Sequence, residues 1–179
     1  EAGAGPAVVC IAGLDGRSAF WRHQIGPLAA TRHVITFDQR GVGRSSHSRI
    51  RYNVGQMADD LVSMLDVLGL ETATLVGHGL GSVVALQMAI RHVERCERLV
   101  LAAPWAGPSA YEAEQLLLQQ AILTRCGGEA YVMHDVLRGA PASWLHVRPW
   151  LIRERAAERL AALAPVEVEL SRLQAVAEC

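Results

Sequence analysis

The chain has 179 residues, about one domain's length, and 51% of them are hydrophobic, which excludes a disordered chain and allows a sizeable core. Its 17 basic and 18 acidic side chains sum to −1, so no strong field favours nucleic acid or an anionic membrane. All 17 are arginine; without lysine, a Schiff-base lysine and a Walker-type phosphate lysine are both excluded. Residues 7–12 (Ala-Val-Val-Cys-Ile-Ala) form a short apolar run that opens onto Gly13 and reads as a buried strand. Residues 18–29 have a helical pattern. Residues 33–38 (His-Val-Ile-Thr-Phe-Asp) read as a second strand, ending at an aspartate and a Gly-rich loop. Asn53 is placed to cap a helix over 54–68, with Met57, Leu61, Met64, Leu65 and Leu68 on one face. Residues 72–76 read as a third strand, 80–92 as a helix, and 98–103 as a fourth strand stopped by Pro104. Apolar strands alternating with helices predict the α/β class, a doubly wound and mostly parallel sheet covered on both faces.

After Pro108 the pattern is helical from Tyr111 to Ala177, broken at Gly127-Gly128, Pro141, Pro149 and Pro165. The chain thus divides into an α/β core over 1–108 and a helical segment over 109–179. Helices set over the C-terminal edge of such a sheet form a lid; a helical layer packed on the sheet is the alternative. Cys10, Cys96, Cys126 and Cys179 are widely spaced, with no Cys-x-x-Cys pair, and read as reduced thiols of a cytoplasmic protein. The start carries no basic, apolar leader, and no apolar run reaches the ~18 residues of a membrane span.

The chemistry is concentrated in Leu75-Val76-Gly77-His78-Gly79-Leu80-Gly81, where a strand enters a tight turn and then a helix. Two glycines flank the middle residue at the spacing of a nucleophile elbow, Gly-x-Ser-x-Gly. The residue after the middle one directs its N–H from a first helical turn, where donors are unpaired and the dipole favours an anion. The middle residue is Gly79, which has no hydroxyl. A dinucleotide loop is the other reading of a Gly-x-Gly-x-Gly run, but its third glycine falls one position early and no acid ends a second strand ~20 residues on. Residues 11–21 add a glycine turn after a strand, and 38–45 read Asp-Gln-Arg-Gly-Val-Gly-Arg-Ser.

Together these three segments resemble the α/β-hydrolase fold superfamily over residues 5–178. Within it, the chain is similar to the aminoacrylate (carbamate) hydrolase group of pyrimidine utilisation. That group has Gly-His-Ala-Leu-Gly at the elbow, and its Gly-Gly and Pro-Ala-x-Trp positions match Cys126-Gly127-Gly128 and Pro141-Ala142-Ser143-Trp144. The resemblance implies that the first and third visible strands are neighbours, with a switch point between them and ligands at their C-terminal ends. It implies an oxyanion hole from the N–H groups of Leu14 and Leu80. Many members have a histidine before the oxyanion glycine, Gly13; here Ala12 stands there, so that loop is expected to lack a side-chain brace. Gly13, Asp15, His78, Trp105 and Trp144 are the expected substrate-binding residues, with Asp15 pointing outward and simple packing the alternative role for both tryptophans. His78 otherwise reads as a residue tolerated beside the turn.

The resemblance further implies a chain that begins at the third strand of the full fold and stops within or just after the lid. The triad acid and histidine would then lie downstream, since Ala103-Pro104-Trp105 offers no carboxylate at the alternative acid position. Asp38 reads as a loop-fixing carboxylate paired with Arg40 or nearby N–H groups. The spacing of His92, Glu94 and Cys96 fits no zinc pattern, and no metal or cofactor is expected. His23, His33, His47, His134 and His146 read as surface or packing residues. The implied activity is hydrolysis of a small C–N substrate by direct water attack; a silent ligand-binding fold, or a serine esterase or lactonase with a substituted nucleophile, are the alternatives. The expected partner is a small molecule, not nucleic acid or membrane, with a homodimer as the association that bare sheet edges invite.

Overall fold

The computed structural model describes residues 1–178; Cys179, one of the four cysteines read as reduced thiols, lies outside them. The first apolar run becomes β1 (Ala7–Ile11), buried along its whole length. It is followed by α1 (Arg22–Ala29), β2 (His33–Thr36), α2 (Val54–Val67), β3 (Ala73–His78), α3 (Leu80–Arg91) and β4 (Cys96–Ala102). The strands form one parallel sheet in the order β2-β1-β3-β4. From β1 the chain turns to β2 on one side; from β3 it turns to β4 on the other. A switch point therefore lies between the C-terminal ends of β1 and β3, where ligands of such sheets bind.

Alternation along β1 sorts its side chains between two cores. Val9 and Ile11 join Leu75, Leu61, Leu65 and Met88 under α2 and α3. Val8 and Cys10 join Trp21 and Val34 under α1. Burial pushes the Cys10 thiol up to about 11, so it remains protonated within the sheet. Helices lie on both faces, as the doubly wound pattern predicts, but they cover the two faces unequally. In register beside Val76, Val100 of β4 stands on the α1 side, yet it is 52% exposed because α1 packs over β1 and β2. Leu99 and Leu101 point the other way and pack on the larger core.

Strand ends also moved. β2 stops at Thr36, β3 runs on to His78, and β4 begins at Cys96. Asn53 caps α2 as expected, its side-chain oxygen accepting from the Gln56 N–H at 2.8 Å. Beyond Pro108 come α4 (Ala110–Arg138), α5 (Ala142–His146), α6 (Trp150–Ala161) and α7 (Val166–Ala177). Ser109 opens α4 with a capping box: the Glu112 N–H donates to its hydroxyl and Glu112 accepts from its N–H. The break expected at Gly127-Gly128 is a non-helical residue, Gly127 (φ 85°, ψ 177°), at which α4 changes direction. Tyr131, Val132, Val168 and Leu173 of the helical segment join the larger core. Among the described residues, no helix is long and apolar enough to cross a membrane.

Candidate active site

At the end of β3 the chain reverses so tightly that side chains are excluded from its flanks. A Cβ on Gly77 would stand 2.4 Å from the Gly81 carbonyl oxygen, and one on Gly81 2.2 Å from the Ile11 oxygen. Gly79 differs. Its backbone is left-handed (φ 54°, ψ −122°), but a Cβ there meets nothing nearer than Gly13 Cα and the Trp105 ring, both at 3.8 Å. The turn is pinned to β4, since the Gly79 N–H donates to the Ala102 carbonyl at 2.9 Å. The buried Ser82 hydroxyl sits 2.8 Å from the Gly77 oxygen and 2.9 Å from the Ala102 oxygen.

The loop after β1 faces this turn. Gly13, Leu14, His78, Gly79, Leu80 and Trp105 line one cleft of about 650 Å³. As the first residue of α3, Leu80 has an N–H with no intrahelical acceptor. Residues 12–14 are held through three successive carbonyls. Gln39 Nε2 donates to the Ala12 oxygen at 2.6 Å, the Gly16 N–H to the Gly13 oxygen at 2.9 Å, and Arg172 to the Leu14 oxygen. The expectation of an unbraced loop is thereby corrected: Ala12 offers no side chain, but its carbonyl is gripped by buried Gln39. Arg172 is likewise buried, 2% exposed. Desolvation pulls its guanidinium below the usual range, while Glu169 and Asp15 oppose the shift. Neither Gln39 nor Arg172 was among the expected site residues.

His78 lies beside the turn with its ring 4.8 Å from that of Phe20, and its buried Nδ1 has no partner among the described residues. Trp105 borders the open position at Gly79. Trp144 does not line the cleft. Arg155 and Arg148 stand over its ring at 4.7 and 5.5 Å, so α5 spends this aromatic on cation–π contacts within the helical segment. Asp15 is also outside the cleft. Arg17 Nε approaches both its carboxylate oxygens at 3.1 Å, and Arg159 lies 3.6 Å away. It borders a separate cavity of about 20 Å³ beside Tyr131, Glu169 and Arg172. There the Tyr131 hydroxyl donates to Glu169 at 2.7 Å; burial, then the Glu169 charge, push that phenol far up.

Of its expected partners, Asp38 takes nearby N–H groups and not Arg40. It accepts from the Ser18 N–H (2.9 Å), the Ser18 hydroxyl (2.8 Å) and the Arg44 N–H (3.2 Å). Burial alone would raise this carboxyl; the Ser18 and Arg44 hydrogen bonds outweigh it and hold it below the usual value. Arg40 turns instead to Asp60. His92 pairs with Asp59 at 3.1 Å and His33 with Glu1 at 2.8 Å. No group of three or more His, Cys, Asp or Glu among the described residues is placed to hold a metal ion.

From the helical segment, the cleft wall receives Tyr111, Glu112, Gln119 and Arg138 of α4 and Val176 of α7. Its one carboxylate among the described residues, Glu112, is held below the usual range by hydrogen bonds from the Ser109 N–H and hydroxyl. Arg138 pairs with Asp135 at 3.1 Å. With its amide turned to satisfy both groups, Gln119 accepts from Arg138 Nε and Nη2 at 3.1 and 3.2 Å.

Comparison with known proteins agrees with this geometry. The chain is 36% identical over 175 residues to the "Putative carbamate hydrolase RutD" of Caulobacter vibrioides, covering 97% of this chain and 65% of that one. It is 40% identical over 142 residues to the protein of that name from Variovorax paradoxus, covering 78% and 53%. The chain thus spans under two thirds of the length of these relatives. Among solved structures, a thermophilic esterase from Thermogutta terrifontis superposes with a TM-score of 0.82 at 27% identity, covering 99% of this chain and 65% of that one. The model of the alpha/beta hydrolase fold matches residues 6–123, from the loop before β1 into α4. With that match spanning the elbow, the facing loop and the sheet between them, the chain belongs to the alpha/beta hydrolase fold family.

Proposed function

We propose that this chain forms the oxyanion-binding part of a hydrolase that acts on a small C–N substrate, a carbamate or an enamine such as an aminoacrylate, by direct attack of water. The observation that carries the reading is the open position at Gly79, with nothing within 3.8 Å of a Cβ, in a cleft shared by Leu14 and Leu80. Gly79 provides no hydroxyl, so no acyl-enzyme forms there. Water beside Gly79 attacks the substrate carbon, and the adduct then breaks its C–N bond, the nitrogen taking up the protons that water gives and leaving as ammonia. On a carbamate, the Leu14 and Leu80 N–H groups receive the charge that develops on the carbonyl oxygen. On an enamine, reacting as its imine tautomer, the same donors hold the oxygen that water contributes. The carbamate hydrolase name carried by the relatives supports this substrate class.

The energetics favour labile substrates. In a protease stripped of its nucleophile, the oxyanion hole and binding still leave roughly 10³–10⁴-fold acceleration over water. That is too little for a stable ester or amide but useful for a C–N bond that water already cleaves slowly. The test is ammonia release from an enamine generated in situ, followed with the protein and in buffer. Acceleration of roughly 10³-fold is expected; a rate equal to buffer overturns the proposal. The same open position favours a second reading, a serine esterase whose nucleophile is substituted. That reading requires Gly79→Ser to confer hydrolysis of an activated ester, with an acyl adduct visible by mass; an inactive, adduct-free variant excludes it.

A further inference from the structure

We infer that Arg138 anchors a carboxylate on the substrate, so that the cleft takes small carboxylic acids and discriminates against their neutral counterparts. The inference rests on the functional reading above and names its substrate class. Arg138 lines the cleft that holds Gly79, Leu80 and Leu14, and its side chain is 46% exposed.

Its charge is left over from a ladder of ion pairs. Arg17 meets Asp15 at 3.1 Å, Asp15 meets Arg159 at 3.6 Å, Arg159 meets Asp135 at 2.7 Å, and Asp135 meets Arg138 at 3.1 Å. Three guanidiniums thus share two carboxylates, and the rung that reaches the cleft is Arg138. Gln119 accepts from Arg138 without neutralising it. Asp135 and Gln119 engage Nη2 and Nε, leaving Nη1 without a partner among the described residues.

The rest of the cleft offers one anion among the described residues, and it is engaged away from Arg138. Glu112 is its one carboxylate among the described residues, and it is tied to the Ser109 N–H in the first turn of α4, where the helix dipole balances it. The cleft is also lined by Leu80, the first residue of α3, whose N-terminus is likewise a positive end. A planar guanidinium with spare N–H groups matches the two oxygens of a carboxylate.

The test compares propionate with propionamide, which share a shape and differ by one charge. Binding to the full chain is measured by calorimetry, and the Arg138 Nε–H resonance is followed by NMR. Propionate is expected to bind at least about tenfold more tightly and to shift that resonance where propionamide does not. Arg138→Gln abolishes the preference, and Arg138→Lys retains part of it. Equal affinities, an unmoved resonance, or a preference that survives in a folded Arg138→Gln overturns the inference. The resonance needs no variant, so it decides even if Arg138→Gln unfolds. Neither measurement requires turnover. Absent hydrolysis with the preference intact counts against the functional reading alone, and the reverse result counts against Arg138 alone.

Discussion

The two loops that meet at the cleft are built in opposite ways. At the elbow, Gly77 and Gly81 let backbone touch backbone, and the turn is held by its own neighbours in the sheet. Across the cleft, residues 12–14 owe their path to side chains from distant places, Gln39 after β2 and Arg172 on α7. One loop is shaped by what is missing from its residues, the other by what far residues supply. A local motif therefore announces the first and leaves the second silent.

Substitution separates the two designs. The largest effect is expected at Gly81→Ala, whose methyl group would collide with the Ile11 and Ala12 carbonyls; denaturant titration should show a loss of about 4 kcal/mol or more. Gly79→Ala, by contrast, meets only its backbone strain, about 1–3 kcal/mol. Next comes Arg172→Met, which strips Glu169 of its buried cation and releases the Leu14 carbonyl. A loss of about 3 kcal/mol is expected, with faster hydrogen exchange at the Leu14 amide and unchanged exchange in α3. Gln39→Leu should loosen the same loop at about 1 kcal/mol, again without touching the elbow. The smallest effect is at Asp38→Asn and depends on pH. Because the folded carboxyl sits below the 3.8 of a free aspartate, the wild type holds its full advantage above that value. The advantage shrinks as pH falls through the folded pKa, so the stability curves of wild type and variant should converge in acid.

Much of the sheet was legible because each strand contains an apolar run with a clear stop after it, a glycine, a polar loop or, for β4, Pro104. The elbow was legible because Gly77, Gly79 and Gly81 carry its geometry themselves. Strand ends were less so: β3 continues to His78 because its backbone still pairs with Ala102, a fact about the neighbouring strand. For Trp144 the packing alternative describes what is seen, because Arg148 from the connection after α5 and Arg155 from α6 converge on its ring, a meeting between elements that sequence spacing does not reveal. Arg172 did leave a trace. It falls at a core position of α7, in phase with Val168, Ala175 and Val176, where a charge requires a buried partner. Gln39 left none, because a lone glutamine in a polar loop does not reveal which carbonyl it will meet.

The open middle of the elbow has an evolutionary consequence. Gly77 and Gly81 dictate the path of the chain, so replacement at either disturbs the sheet. Position 79 answers only to its own backbone angles and faces free space. Descendants of such a scaffold can trade the group presented there while inheriting the architecture intact, and reaction type can diverge faster than shape.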